Sequence, residues 1–330
     1  MPYYKPFNII ILGFDGALGS ALIGALDLFS FTGVSWQRFN NEDVAPRFNV
    51  QIASLHGHSI RCSNRLVIEP HINLQDVESC DLLLIPTIGD SIEKILKQTT
   101  NLIPHILRLH KKGSDIASNC SGAFLLANTG LLDGKTATTH WGYAKKFVQD
   151  FPTVQLEANK LVTHSDNLFC AAGGSAFYDL GLMLIERYCG RDVASEVAKT
   201  QVIDVRKRIQ SNYANVKMYK SHNDELIKQV QEYIEENYSA NLNVSSLSAH
   251  FNVIPRTLNR RFQTSMQMRP IQYIQHVRIE QAKRLLENGD CNIKSLATEV
   301  GYEDASSFNR LFKKTTQLTP KEYQQKCYRL

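Results

Sequence analysis

The sequence predicts an α/β sandwich in its first 200 residues, followed by an all-α domain with two helix-turn-helix motifs. Three observations predict this. The first part alternates strand-like and helix-like runs, and the second part contains one helical pattern twice. Positive charge is concentrated at the C-terminal end, where residues 252–330 hold 14 Lys and Arg against 7 Asp and Glu. The predicted domains are 1–204 and 224–330, joined by a charged linker at 205–223.

Apolar runs in the first part predict strands at 7–12, 48–55, 81–86 and 115–119. Amphipathic runs predict helices at 20–29, at 92–112 with a break near Pro104, and at 175–189. This alternation is typical of a largely parallel sheet covered by helices. In such folds, ligands bind at the carboxyl ends of the strands.

Composition points to a cytoplasmic protein. No signal peptide is apparent, and no apolar run is long enough to span a bilayer. The seven cysteines are scattered and include no Cys-x-x-Cys pair, which argues for reduced thiols rather than a disulfide framework or a zinc site. We therefore expect no metal, no cofactor and no membrane contact.

The repeated pattern lies at about 243–264 and 292–315. The segment LNRRF at 258–262 corresponds to FNRLF at 308–312, and Leu247 corresponds to Leu296. In each copy, apolar residues four positions apart share one helix face, while the Asn-Arg pair lies on the other. Two helical hairpins with solvated basic faces are the alternative, but the doubled pattern favours two DNA-binding motifs on double-stranded DNA.

The predicted DNA contacts divide by chemistry. Arg and Asn side chains pair bidentately with base edges, whereas other basic side chains, here Arg261, Lys313 and Lys314, suit phosphates. Ile254 stands where the first recognition helix should have a capping residue, and the absence of a cap costs about 0.5–2 kcal/mol. The predicted contacts are Arg256, Thr257, Asn259, Arg260, Arg261, Ser306, Ser307, Asn309, Arg310 and Lys313.

A helix is predicted between the two copies, beginning at Pro270 and ending at Gly289. Its expected apolar stripe consists of Ile271, Ile274, Ala282 and Leu285. Such a helix would hold the two motifs at a fixed separation, as required for major-groove segments about 34–36 Å apart.

The C-terminal segments RPIQYIQHVRIEQAKRLLENGD, SLATEVGYEDASSFNRLFKK and TPKEY carry a family resemblance. Together they make residues 224–330 resemble the AraC/XylS-type DNA-binding domain. The resemblance implies a sequence-specific transcriptional regulator that acts together with RNA polymerase.

Cys120 lies where a predicted strand runs directly into a helix, beside the small residues Gly122 and Ala123. This pattern is typical of a nucleophile elbow with sulfur in place of oxygen. The helix dipole is expected to lower the pKa of the Cys120 thiol. The alternative is a buried, inert cysteine.

The segments SGAFLLANTGLLDGKTATTHW and GGSAFYDLGLMLIERYCGRDVA resemble the PfpI-like branch of the class I glutamine amidotransferase-like superfamily. This implies a flavodoxin-like three-layer sandwich and, through the N-terminal domains, a homodimer. With the C-terminal domain, the chain resembles GlxA-type regulators of the AraC family. Cys120 and His140 match the family's cysteine and histidine. Ala21 stands near the acidic position and Asp15 is out of register, so the resemblance implies a binding domain rather than an enzyme.

In regulators of this type the former active site generally binds a small molecule, so the expected effector-binding residues are Cys120, Ser121, His140 and Trp141. Further aromatic walls are expected from Trp36, Tyr143 and Phe177, which would suit a betaine-like or amino-acid-like molecule. Trp141 as a core aromatic and His140 as a structural histidine are the simpler alternatives. Two other functions stay open: a cysteine-dependent hydrolase, or a thiol redox sensor, each with an accessory DNA-binding domain.

Overall fold

A computed structural model of the chain describes residues 5–203, 222, 224–266, 268–288 and 292–327. The chain divides into two compact units, Met1–Gln210 and Ser211–Leu330. Apart from His222, the predicted linker at 205–223 lies outside the described residues, as does Gly289. The domain limits at 204 and 224 therefore stay predictions.

The N-terminal unit is built on a seven-stranded sheet with the order β10-β11-β7-β6-β1-β2-β5. Neighbouring strands are parallel except β10, which is antiparallel to β11 at one edge. Short pairs, β3 with β4 and β8 with β9, lie outside this sheet. The strands are β1 (Phe7–Gly13), β2 (Phe48–Ser54), β3 (Ile60–Arg61), β4 (Val67–Ile68), β5 (Ile72–Asn73), β6 (Leu82–Ile85), β7 (Asp115–Asn119), β8 (Thr136–Ala137), β9 (Gln155–Leu156), β10 (Val162–Ser165) and β11 (Leu168–Ala171).

Helices cover both faces of the sheet, as the sequence requires. Consecutive side chains of β1 and of β6 are buried, and a strand buried on both faces must lie in the middle of three layers. The α/β sandwich prediction is thus confirmed. The helices of this unit are α1 (Gly19–Ser30), α2 (Ser35–Phe39), α3 (Ile92–Gln98), α4 (Ile103–Lys111), α5 (Gly122–Ala127), α6 (Ala144–Asp150), α7 (Ala176–Cys189) and α8 (Arg191–Thr200).

The described residues of the C-terminal unit form helices joined by turns, and they include no strand. The second and third of its helices occupy the first predicted copy of the repeat, and the fifth and sixth occupy the second copy. Each pair is joined by a tight turn, with Asn252 and its counterpart Gly301 both at positive φ (50° and 88°). The helices are α9 (Glu225–Glu236), α10 (Val244–His250), α11 (Pro255–Met266), α12 (Pro270–Asn288), α13 (Leu296–Glu299), α14 (Ala305–Thr316) and α15 (Pro320–Cys327).

Two separate hydrophobic cores lie in this unit, and α12 contributes to both. Its residues Tyr273, Ile274 and Val277 pack into the first core with α9, α10 and α11. Its residues Ile279, Ala282 and Leu286 pack into the second with α13 and α14. At about 100° per residue, these two sets lie on nearly opposite sides of the helix.

The single apolar stripe predicted for α12 is therefore wrong. Ile271 is 41% exposed and Leu285 is only half-buried. A helix shared by two cores needs two apolar faces, which one periodic stripe does not represent.

Among the described residues, no helix is both long and apolar enough to cross a membrane.

Candidate DNA-binding surface and effector site

The helices α11 and α14 are the second helices of the two motifs, and both are amphipathic. Leu258 and Phe262 of α11 are fully buried, as are Phe308 and Phe312 of α14. The opposite faces are polar and exposed. These faces carry Arg256 and Arg260 on α11, and Ser306, Ser307, Asn309, Arg310 and Lys313 on α14.

Some predicted DNA contacts are held by their own helix. Asn259 is half-buried, and its Nδ2 donates to the carbonyl oxygen of Pro255 at 3.0 Å. Arg310 Nη2 donates to Ser307 Oγ at 3.3 Å. Thr257 is half-buried as well. Reading bases with Asn259 or Arg310 therefore requires the exchange of one intrahelical hydrogen bond.

Arg261, a predicted phosphate contact, forms a bidentate ion pair within the domain. Its Nε donates to Asp224 Oδ2 at 2.8 Å and its Nη2 to Asp224 Oδ1 at 2.5 Å. The Arg261 guanidinium also lowers the pKa of the Asp224 carboxyl. A bidentate pair of this kind satisfies the guanidinium within the domain. Arg261 thus ties α11 to the start of α9, and a phosphate contact by Arg261, which stays a prediction, would share the guanidinium with Asp224.

The start of α14 is fixed by Asp304, a residue that the sequence analysis did not single out. Its carboxylate accepts from the backbone N–H groups of Ser306 (3.0 Å) and Ser307 (2.8 Å). Hydrogen bonds from Ser307 and Ser306 lower the pKa of Asp304 to about 2. Asp304, two residues before the Ser306-Ser307 pair, was the available sequence signal for this N-cap.

In the N-terminal unit, Cys120 occupies a strained turn between β7 and α5, with φ at 57°. Two close approaches shape this turn. A Cβ at Gly122 would lie 2.5 Å from the carbonyl oxygen of Pro86. A Cβ at Gly173 would lie 2.7 Å from Cys120 Sγ. Glycine at 122 allows the sharp turn after β7, and glycine at 173 leaves room for the Cys120 sulfur. This is the nucleophile-elbow geometry that the sequence predicts.

The expected low pKa of Cys120 is wrong. Burial of the thiol raises its pKa above the ordinary value, and hydrogen bonds from Ser121 and Thr87 offset only part of that effect. The helix that follows, α5, has six residues and so contributes a short dipole. The thiol is therefore predominantly protonated at neutral pH.

Ser121 was predicted to bind the effector, but it is fully buried and its Oγ donates to the carbonyl oxygen of Ile88 at 2.8 Å. His140 is half-buried, and its Nδ1 accepts from the Gly142 N–H at 3.0 Å. Burial lowers the pKa of His140, so the neutral ring carries its proton on Nε2. Among the described residues, neither Cys120 nor any carboxylate is hydrogen-bonded to His140. The ring can donate to a ligand, but it is not arranged as a base for the thiol.

Only part of the expected aromatic wall surrounds His140. Trp141 and Tyr143 have ring centroids 5.0 and 6.1 Å from the imidazole. Trp36 lies on α2, where Lys199 Nζ stands 5.2 Å from its ring centroid. Phe177 is buried in the core. A role for Phe177 in the wall therefore stays a prediction, and the ring of Trp36 is already engaged by a cation of the protein.

Two adjoining clefts, of about 380 and 300 Å³, lie near the carboxyl end of β1. They share Asp15 and Gln98, and the smaller one is also lined by Arg61. Asp15 Oδ1 accepts from the Arg61 backbone N–H at 2.8 Å. Neither cleft includes any of the predicted effector-binding residues in its described lining. The described residues also contain no cluster of three or more His, Cys, Asp or Glu that could hold a metal ion.

The raised pKa leads to a prediction for Cys120 chemistry. Since the thiolate is the nucleophile, alkylation of Cys120 by iodoacetamide at pH 7 is expected to be slower than that of a small-molecule thiol in the same tube. The rate should increase about tenfold per pH unit up to the pKa of the thiol. Mass spectrometry of the Cys120 peptide measures this rate. Faster alkylation at pH 7 than the reference thiol would contradict it and restore the reactive-nucleophile hypothesis.

Comparison with known proteins agrees with this two-part architecture. The DJ-1/PfpI family model matches residues 32–187, and a helix-turn-helix domain model matches residues 247–326. The HTH-type transcriptional regulator CdhR of Pseudomonas aeruginosa is 25% identical over 287 residues, 84% of each chain. GlxA of Rhizobium meliloti, also an HTH-type transcriptional regulator, is 25% identical over 270 residues, 82% of this chain and 80% of that one. The chain is a helix-turn-helix transcriptional regulator with a DJ-1/PfpI domain.

Solved structures support the fold of the regulator's N-terminal domain. Drosophila melanogaster DJ-1β superposes with a TM-score of 0.51 at 21% identity, covering 61% of this chain and all of that one. A THiJ/PfpI family protein from Pseudomonas syringae gives 0.52 at 19% identity, covering 66% and 82%. At sequence identities this low, the similarity shows a shared fold and nothing more.

The regulator also has residues around Cys120 that the sequence analysis missed. Thr139 Oγ1 donates to the Cys120 carbonyl oxygen at 2.8 Å, and the Thr87 hydroxyl lies beside the thiol. Gly173 packs directly against the sulfur. The Gly-Gly pair at 173–174 was a usable sequence signal, whereas the threonine contacts depend on the tertiary fold.

Proposed function

We propose that this regulator binds double-stranded DNA sequence-specifically by placing α11 and α14 in successive major-groove segments. The observation that carries the proposal is the pair of recognition helices, each buried on one face and presenting exposed Arg or Asn side chains on the other. The proposed base contacts are Arg256, Arg260, Asn309 and Arg310, with phosphate contact by Lys313. Thr257, Asn259, Ser306 and Ser307 complete the proposed surface.

We also propose that the N-terminal domain binds a small-molecule effector beside Cys120, His140 and Trp141. In support, the protonated Nε2 of neutral His140 is a hydrogen-bond donor, and Trp141 and Tyr143 flank the imidazole. An aromatic pair next to a polar donor suits an amino-acid-like or betaine-like molecule. The hydrolase and redox-sensor alternatives have less support, because the Cys120 thiol has a raised pKa and His140 is not hydrogen-bonded to it.

Three further proposals concern the setting of the regulator. Paired N-terminal domains would form a homodimer with two-fold symmetry, which would bring four recognition helices to the DNA. RNA polymerase is the proposed protein partner at the promoter. The proposed location is the cytoplasm, in agreement with the scattered cysteines.

The effector proposal is tested by thermal unfolding of the full-length protein with glycine betaine and with each proteinogenic amino acid. A ligand at a hundred times its Kd stabilises by about 2.7 kcal/mol, which raises the unfolding midpoint of a domain of about 200 residues by roughly 5–10 °C. Trp141→Leu should abolish this shift, whereas Arg61→Ala in the smaller cleft should preserve it.

If Arg61→Ala abolishes the shift and Trp141→Leu preserves it, the effector binds in the clefts, which would contradict the proposed site beside Cys120. Absence of a shift with every one of these compounds would contradict the proposed effector class while leaving the DNA-binding proposal intact.

A further inference from the structure

Arg278 is a buried arginine in the middle of α12, with only 9% of its surface exposed. Its Nε donates to the carbonyl oxygen of Tyr238 at 2.8 Å, and its Nη2 donates to that of Ala240 at 2.7 Å. Its guanidinium carbon also stands 5.2 Å from the ring centroid of Tyr302. One side chain therefore contacts three separate points of the fold.

These contacts connect the turn before the first helix-turn-helix motif with the turn inside the second. Tyr238 and Ala240 lie in the turn between α9 and α10, next to the first core. Tyr302 lies in the turn between α13 and α14 and packs against the second core. On α12, Arg278 falls between Val277, which faces the first core, and Ile279, which faces the second. The guanidinium therefore joins the turn that leads into the first motif to the turn that precedes the second recognition helix.

The backbone of the second motif also touches the turn between α9 and α10 at this place. Gly301 has φ at 88°, and a Cβ there would lie 2.7 Å from the carbonyl oxygen of Ser239 and 2.9 Å from its Cα. The same Cβ would lie 3.0 Å from Arg278 Nη2. A glycine at this turn permits the close approach, and Arg278 holds it by hydrogen bonds to the residues on either side of Ser239.

A buried charge without a carboxylate partner is costly to maintain. In the part of the chain that the structure describes, no Asp or Glu forms an ion pair with Arg278, and burial lowers the pKa of its guanidinium. Its positive charge is stabilised by hydrogen bonds to two backbone carbonyls and by a cation–π contact with one aromatic ring. Both kinds of interaction require a particular orientation of the guanidinium. Such an arrangement depends on the relative positions of all three partners.

We propose that Arg278 is a positioning residue that fixes the relative orientation of α11 and α14, and thereby determines which half-site spacing the regulator accepts. Each added base pair moves the second half-site by about 3.4 Å and rotates it by about 34°. A rigid pair of recognition helices cannot follow that change, whereas a loosened pair can. This inference rests on the proposed DNA-binding function.

The test measures DNA affinity of the full-length protein on its selected site and on the same site with one base pair inserted between the half-sites. The wild-type protein should bind the selected site about tenfold or more tightly than the inserted site. Arg278→Met keeps the apolar stem but removes the hydrogen bonds, so this ratio should fall below about threefold. Arg284→Met, an exposed arginine on the same helix, is the matched control and should keep the wild-type ratio.

A merely structural loss would weaken both DNA sites alike and leave the ratio unchanged, which would overturn the proposal. If Arg278→Met does not fold, Arg278→Lys decides, since its ammonium keeps the charge without the planar geometry that serves both carbonyls. A reduced ratio for Arg278→Lys supports the proposal, and a wild-type ratio overturns it. If the wild-type protein binds a selected site but tolerates the inserted base pair, the proposal about Arg278 is overturned, whereas absence of any preferred DNA sequence means that the proposed DNA-binding function itself fails.

Discussion

Replacement of Phe312 by alanine is expected to unfold the second helix-turn-helix motif while the first stays folded. Phe312 is fully buried in the smaller core with Phe308, Leu296 and Ala282. Truncation of a buried phenylalanine costs about 3–5 kcal/mol. That cost is comparable to the whole stability of a small folding unit.

Hydrogen exchange of the full-length protein measures the outcome. Amides of α13 and α14 should lose protection in Phe312→Ala, whereas amides of α9 and α11 should keep most of theirs. Phe262→Ala is the matched control, because Phe262 is the repeat counterpart in the first core and is also fully buried. It should give the opposite pattern. Equal loss of protection in both motifs for both variants would show that the two cores unfold as one unit.

Replacement of Arg310 by alanine is expected to weaken binding to the selected DNA site by about 1–3 kcal/mol and to relax base preference at one position. Arg310 is exposed on α14, and its hydrogen bond to Ser307 Oγ is readily exchanged for base contacts. Arg260→Ala should have the corresponding effect in the other half-site. Titration of single-base variants of the site measures both the decrease in affinity and its position.

Lys313→Ala is the matched control on the same helix. Without the lysine ammonium that is proposed to bind a phosphate, α14 should bind all sequences more weakly to the same extent. The slope of log affinity against log salt should fall by about one unit. If Arg310→Ala instead weakens binding equally on every sequence, Arg310 binds the phosphate backbone and its assignment as a base-reading residue is wrong.

Much of the fold could be predicted from the sequence because local pattern determines it. Four of the principal strands and the elbow at Cys120 follow from apolar runs and small residues, and the repeat predicts both recognition helices. The edge strand β10 was missed because its sequence, VTHS, has little apolar character. The faces of α12 were missed because one helix contributes to two cores.

The chemistry of the candidate sites was less predictable, since it depends on interactions between distant parts of the chain. The pairing of Arg261 with Asp224 joins residues 37 positions apart. The raised pKa of Cys120 results mainly from burial of the thiol, which the local sequence does not reveal. Ser121 was expected in a ligand site, but its hydroxyl donates to the carbonyl oxygen of Ile88, 33 positions away in the sequence. No periodicity or spacing contains this information.

The central claim is that two recognition helices bind two half-sites of one DNA sequence. Selection of genomic fragments by the purified full-length protein at moderate salt, followed by sequencing, tests it most directly. We expect an enriched motif with two short half-sites about 10–10.5 base pairs apart, and we expect Arg260→Ala and Arg310→Ala each to weaken the enrichment of one half-site. Weak, salt-sensitive binding without an enriched motif, persisting across the compounds tested as effectors, would contradict it.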